Sequence, residues 1–321
     1  MRWAGTRAAS IHRMKIGLML PIGEDEATGR PPSFEHLRAM TLAAEDGGLD
    51  SVWCADHVLF RPKDDDHTRG IHEAWTLLSA LAAVTTRVEL GPLVLCVPFR
   101  NPAMIAKMAA TFEEVSGGRL ILGLGCGWHE PEFEAFGLPF DHRVGRFEEA
   151  IAIILPMLRT GSATSEGRWH RAADADLVPR GPRPDGPPIM IAGKQPRMLE
   201  LVAKHADQWN AAWFGHPDEA DELRERLSRL HAALEAAGRD PATLELTAGV
   251  FVRVADDDDD APGEAMHGST EEIADALAGY SRLGISHLIV HLWPRTPAAV
   301  TTLAEAASLA RERAGAMAVA R

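Results

Sequence analysis

Asp56 and His57 stand directly after a short apolar run, Ser51-Val-Trp-Cys-Ala55. A histidine at the end of a strand can exchange a proton near neutral pH, and the adjacent carboxylate can orient it or hydrogen-bond a ligand. The same pair can also simply fix a loop. Further along, prolines and Arg100 end the stretch 90–102. That guanidinium could meet an anion or tie a loop to a carboxylate. In Gly123-Leu-Gly-Cys-Gly127 the glycines permit either close backbone approach to a flat ligand or a tight turn. The run is not a dinucleotide fingerprint, because Trp128 and then acidic residues follow it. His129, Glu130 and Glu132 are metal-ligand types, but no second cluster completes a three-ligand site, so no metal is expected. Ala192-Gly-Lys-Gln-Pro196 opens a helix. Its unpaired N–H groups and Lys194 would make a phosphate seat, unless the lysine is an ordinary exposed one.

These residues need a scaffold that brings strand ends together. Short apolar runs fit strands at Lys15–Leu20, Ser51–Ala55, Val88–Val97, Arg119–Gly125, Pro188–Ala192, Asp207–Ala211, Leu244–Val254 and His287–Leu292. Most are short and continuously apolar, as buried parallel strands are. Each is followed by a helical pattern. Asn101-Pro102 caps one helix and Gly117-Gly118 stops it, while Ser269-Thr-Glu-Glu272 reads as a capping box. Eight strand–helix repeats predict an α/β fold, a (β/α)8 barrel, with catalytic groups at the C-terminal ends of its strands. Residues 161–187 break the alternation and predict an insertion before the fifth strand, with a small hairpin and a possible role as a lid. A second methionine, Met14, opens the first strand; residues 1–13 read as a disordered or mis-assigned leader and 14–321 as one domain. The aspartate run 256–260 reads as a solvated loop.

The 321 residues are 46% apolar and carry a formal charge of −13. That charge argues against nucleic acid and against an anionic membrane as partners. No apolar stretch reaches the ~20 residues needed to span a bilayer, and the N-terminus lacks the apolar segment of a secretory signal. Three cysteines, Cys54, Cys96 and Cys126, are an odd number without paired spacing. A reduced, cytoplasmic protein is the expectation.

Ser51-Val-Trp-Cys-Ala-Asp-His57, Phe99-Arg-Asn-Pro102, Val115-Ser-Gly-Gly-Arg-Leu-Ile-Leu-Gly-Leu-Gly-Cys-Gly-Trp128, Pro188-Ile-Met-Ile-Ala-Gly193 and His205-Ala-Asp-Gln-Trp-Asn210 follow one another in this order. Together they resemble the luciferase-like monooxygenase family, in particular its branch using the deazaflavin coenzyme F420. The resemblance implies a bacterial-luciferase-like TIM barrel with the coenzyme ring across its mouth. It places Asp56 on the ring and gives His57 the acid–base role. It also implies a non-prolyl cis peptide at Leu93-Val94 with Cys96 beside the cofactor. Cys126 and Gly127 would border the ring, and Gly193, Lys194 and Gln195 would hold its phosphate. A homodimer is the family expectation. The branch that oxidises sugar phosphates has a glutamate where this chain has Trp128, and a lysine near Ala211-Ala-Trp-Phe-Gly215. Phe60, Trp128 and Trp213 instead suggest an apolar or aromatic substrate pocket, though such residues also serve as core or dimer interface. The expected activity is hydride transfer between F420 and a small organic substrate. An FMN-dependent monooxygenase on the same barrel, a flavin-binding protein without turnover and a metal-dependent hydrolase are the alternatives. No His-x-His near the first strand supports the last of these.

Overall fold

A computed structural model describes residues 13–25, 28–61, 67–255 and 261–319. The leader read at 1–13 lies almost wholly outside them, as does the aspartate run. The chain begins β1 (Lys15–Met19), α1 (Phe34–Asp46), β2 (Ser51–Cys54), α2 (Ala74–Val84), β3 (Glu89–Pro92), β4 (Leu95–Cys96) and α3 (Pro102–Ser116). It continues with β5 (Leu122–Gly125), α4 (Glu130–Ala135), α5 (Arg143–Thr160), β6 (Ser162–Glu166), β7 (Arg171–Asp176), β8 (Ile189–Ala192) and α6 (Pro196–His205). The last elements are β9 (Gln208–Phe214), α7 (Asp221–Ala236), β10 (Glu245–Arg253), α8 (Thr270–Gly279), β11 (His287–Trp293) and α9 (Pro297–Val319).

Local chemistry sets the helix ends. The Asn101 side chain accepts from the amides of Ala103 and Met104, Pro102 occupies the first turn, and Gly117 ends α3 at φ +65°. Both hydrogen bonds of the capping box form at Ser269 and Glu272.

The main sheet runs β3-β2-β1-β11-β10-β9-β8-β5-β4, with parallel pairing throughout. β3 and β4 are two halves of the third barrel strand, separated by a non-prolyl cis peptide at Leu93-Val94, where the family resemblance places it. The continuous strand expected over 88–97 is therefore interrupted. Leu90 bridges Leu120, so the ring closes on β5 and the fold is the expected (β/α)8 barrel. The insertion before β8 carries an antiparallel hairpin of β6 and β7, as anticipated.

Most of the core lies between this ring and the helices. A second cluster, Met19, Trp53, Ile121, Met190 and Ile289, fills the barrel itself. Trp53 is completely buried there, and glycines make room for it: a Cβ on Gly91 would stand 2.6 Å from its ring. Below it, the Trp53 indole N–H donates to Ser51 Oγ at 2.7 Å, and Ser51 pairs with His287 Nε2 at 2.7 Å. Above this packed floor the barrel opens at the other end, where the strands terminate.

Candidate active site

At that end lies a cavity of about 310 Å³. Asp56, His57, Leu93, Val94, Cys96, Cys126, Gly127, Trp128, Gly193 and Trp213 line it. Ten residues singled out in the sequence thus meet on one wall system, although they come from five strand ends. Phe99, Gly125, Glu132, Phe133, Ala192, Asn210 and Ala212 complete the lining.

His57 follows β2, and α4 supplies its partner. Glu132, 1% exposed, accepts from His57 Nδ1 at 2.7 Å and from the Val58 amide at 2.6 Å. A carboxylate in this position requires the ring proton on Nδ1. The lone pair on Nε2 is then left for exchange with a bound molecule. His57, not Asp56, is therefore the member of the adjacent pair equipped to move a proton. The carboxylate orienting it sits 75 positions away. In the sequence Glu132 stands beside His129 and Glu130 only as a metal-ligand type. Pro131 at a helix start and the apolar Phe133 beside Glu132 are the signals of the short helix that turns it inward.

Asp56 has a different task. Its Oδ2 accepts from Arg100 Nη1 at 2.6 Å and from the Cys96 amide at 2.8 Å, and its Oδ1 accepts from Arg100 Nη2 at 2.9 Å. Arg100 also donates to Glu73 Oε1 at 2.7 Å. Of the two roles open to Arg100, the structure shows the tie to a carboxylate. The bidentate pair fixes the loop after β2 against the residues following the cis peptide. Asp56 borders the cavity with both oxygens already engaged.

Burial pushes the Cys96 and Cys126 thiols up, so neither is a thiolate near neutral pH. They act as small apolar walls. Gly127 adopts φ +75°, and a Cβ there would stand 2.6 Å from Phe133 and 2.7 Å from Cys96 Sγ, so this corner admits only glycine.

Phe60, Lys194 and Gln195 do not line this cavity. Phe60 stacks on His129 with ring centres 4.8 Å apart and stands edge-on to Trp128 at 6.1 Å. His129 Nε2 accepts from the Arg61 amide at 3.0 Å, and burial lowers its pKa, so it remains a neutral prop for this loop. Gln195 occupies the N-cap position of α6 without a side-chain capping bond. Lys194 is 57% exposed, with its ammonium 4.0 Å from Glu222.

A second cavity of about 250 Å³ adjoins the first, lined by Phe140, His142, Arg143, Val144, Gly145, Trp169 and Arg197. Arg143 links the two: its Nη1 donates to the Gly127 carbonyl at 3.2 Å while its guanidinium lies 3.7 Å over the Phe140 ring. The α5 helix starts here without a side-chain cap, and α6 contributes Arg197 from its first turn. Trp169 comes from the turn of the β6–β7 hairpin, so the insertion forms part of this wall. Spacing alone did not indicate the site, because its residues come from three separate segments. No cluster of three or more metal-ligand side chains occurs among the described residues. No helix in them is long and apolar enough to cross a membrane.

Residues 14–271 match the family profile described as luciferase-like monooxygenase. Pyrimidine monooxygenase RutA of Methylorubrum populi is 32% identical over 269 residues, covering 79% of this chain and 68% of that protein. Phthiodiolone/phenolphthiodiolone dimycocerosates ketoreductase of a Mycobacterium species is 32% identical over 264 residues, covering 76% of this chain and 68% of that protein. Among solved structures, an F420-dependent secondary alcohol dehydrogenase in complex with an F420–acetone adduct superposes with a TM-score of 0.77 at 19% identity. The match covers 93% of this chain and 99% of that one, a likeness of fold.

Proposed function

This chain belongs to the luciferase-like monooxygenase family, and we propose that it is an oxidoreductase moving a hydride between coenzyme F420 and a small, uncharged organic substrate. One arrangement carries the reading: beside a cavity with an oriented histidine on its wall lies a second cavity lined by Arg143 and Arg197, the two linings joined by the Arg143–Gly127 hydrogen bond. A flat ring attached to an anionic tail needs those two environments side by side.

The residues present fit such a group. Leu93, Val94 and Cys96 give one face of uncharged wall, and Gly125, Gly127 and Gly193 leave the room into which Val94, Cys96, Phe133 and Met198 pack. The tail would run past the Gly127 carbonyl toward Arg143 and Arg197, with the free amides of the α5 start beside them. When bound, the deazaflavin supplies a carbon that gives or accepts a hydride. The protein supplies orientation, exclusion of water by the aromatic rim, and proton transfer at His57 Nε2. Glu132 holds that imidazole in its working tautomer. The chain as a whole is acidic, and of the arginines around Trp169 and the α5 start Arg146 pairs with Asp141 and Arg197 with Glu148. Arg143, bonded to the Gly127 carbonyl, is the cation that favours an anionic tail at this place.

A second reading, an FMN-dependent monooxygenase, is favoured by the 32% identity to a pyrimidine monooxygenase across most of the chain. Oxygen chemistry needs a cofactor whose reduced form reacts with oxygen, which the flavin provides. Titration of the protein with F420 and with FMN, followed by fluorescence quenching, separates the two. Low-micromolar or tighter F420 binding with clearly weaker FMN binding is expected. Equal or tighter FMN binding would overturn the deazaflavin reading in favour of the flavin one.

A further inference from the structure

Across the barrel mouth, the ends of β9, β10 and β11 carry an aromatic group that the proton-transfer machinery does not use. Trp213 and Phe251 stack at 5.5 Å with planes 20° apart, and His291 lies 5.6 Å from Trp213. Trp293 backs His291 at 4.3 Å. Within this group only His291 has an ionisable side chain, and burial drives its pKa down to about 3, assisted by Arg295. The group is therefore neutral at physiological pH, and Arg295 stands behind it with its guanidinium 5.3 Å from the Trp293 ring.

Trp213 reaches this position only because β9 is irregular. Side chains alternate along a strand, so residues 208, 210 and 212 would share the inward face and 213 would point outward. Pairing with β10 shows one extra residue instead: Asn210 faces Thr247, yet Trp213 faces Gly249. Such a bulge reverses the alternation beyond it. Ala212, at φ +72°, carries the turn. Asn210 steadies it by accepting from the Ala212 amide at 2.9 Å and donating to Thr247 Oγ1 at 2.9 Å. On the outer side, Arg226 of α7 donates to the Ala211 carbonyl. Opposite the indole stands Gly249, where a Cβ would come within 2.5 Å of Cε3. Bulge, side-chain clamp and glycine together seat one indole face on β10, and Trp213 also borders the cavity that holds His57.

We propose that the exposed face of Trp213, with Phe251 and His291 beside it, is the substrate platform, and that it selects planar, uncharged aromatic or heteroaromatic molecules. This rests on the functional reading above, in which a cofactor ring shares the same cavity, and narrows its substrate to a chemical class. A flat ring gains dispersion and quadrupole contact over its whole area on an indole face, whereas a puckered ring of the same composition touches at few atoms. A charged ligand loses its hydration without finding a counter-charge on this wall. The site thus discriminates by shape and charge together.

The test compares planar probes with their ring-saturated counterparts: 2-quinolinone against decahydro-2-quinolinone, and 1-naphthol against 1-decalol. Binding is measured by calorimetry on the whole protein, alone and saturated with the coenzyme that binds it. At least one planar probe should bind ten times or more tighter than its saturated counterpart. That preference should fall at least fivefold in Trp213→Leu and should largely survive in Trp213→Phe. Gly249→Ala, which displaces the indole without removing it, should reduce the preference as well. If neither planar probe is preferred, or if the preference is unchanged in Trp213→Leu, the platform is refuted even where coenzyme binds normally. If coenzyme fails to bind while the planar preference and its loss in Trp213→Leu are both seen, the functional reading fails and the platform stands.

Discussion

Glu132→Gln keeps the shape of the side chain and removes its charge. In the native arrangement both oxygens are used, one by His57 Nδ1 and one by the Val58 amide. An amide offers one acceptor and, in place of the other, an N–H₂ group. If it keeps the Val58 bond, its own donors face His57 Nδ1, and the imidazole must carry its proton on Nε2 instead. The magnitude follows from the two bonds. A hydrogen bond to a charged group contributes about 1.5–3 kcal/mol and a neutral one about 0.5–1.5, so losing the charge costs about 2 kcal/mol over the pair. With an unfolding entropy of about 2.1 cal/mol/K per residue over the whole chain, that is a fall in Tm of about 3 °C. The functional loss should be larger, because general acid–base catalysis contributes ~10²–10⁴-fold and the wrong tautomer removes the base. Imidazole ¹⁵N spectra read the tautomer without any knowledge of the substrate, with the His57 signals identified by their absence in His57→Asn. Native protein should show an unprotonated Nε2, Glu132→Gln a protonated one, and turnover should drop at least about a hundredfold with coenzyme affinity little changed. A native His57 already protonated on Nε2, or turnover within about threefold of wild type, would refute the reasoning.

Arg100→Ala leaves the Asp56 carboxylate, which is completely buried, without its bidentate partner. An unpaired buried charge costs ~3–5 kcal/mol, so denaturant melts should show a loss of that size, with a smaller loss in Arg100→Lys. A change under about 1 kcal/mol would mean that the ion pair does not anchor the loop. Burial lowers the His287 pKa to about 3. Below pH ~6.5 the unfolded chain therefore binds a proton that the folded one refuses, and stability falls as pH drops from about 6.5 toward 3, by up to ~1.4 kcal/mol per pH unit. His287→Gln should flatten that slope by about one proton in urea unfolding at pH 7, 6 and 5, and an unchanged slope would contradict the assignment. For coenzyme binding, Arg143→Ala should weaken F420 about tenfold and Lys194→Ala only about twofold, since Lys194 is largely exposed beside Glu222. The reverse order in a fluorescence titration would return the phosphate to the Lys194 seat expected from the sequence.

What could be read from the residues alone was local. Asn101-Pro102, Gly117 and the Ser269 capping box announce helix ends because each satisfies backbone groups within a turn of itself. Eight apolar runs between such helices imply a closed barrel because each run needs cover on both faces. Closure in turn explains why residues as distant as Asp56, Gly127 and Gly193 gather at one mouth. The cis peptide at Leu93-Val94 came from family likeness, since nothing in those two side chains demands it. Partners across the fold were not legible. Arg100 had two plausible roles until packing placed it on Asp56, and Glu132 looked like its neighbours until α4 carried it to His57. The inward turn of Trp213 was equally hidden, because plain alternation points that residue outward and only the pairing of β9 with β10 reveals the extra residue. A side chain's partner across the fold depends on how whole elements pack, and that packing is settled by the sum of many weak contacts far apart in the chain.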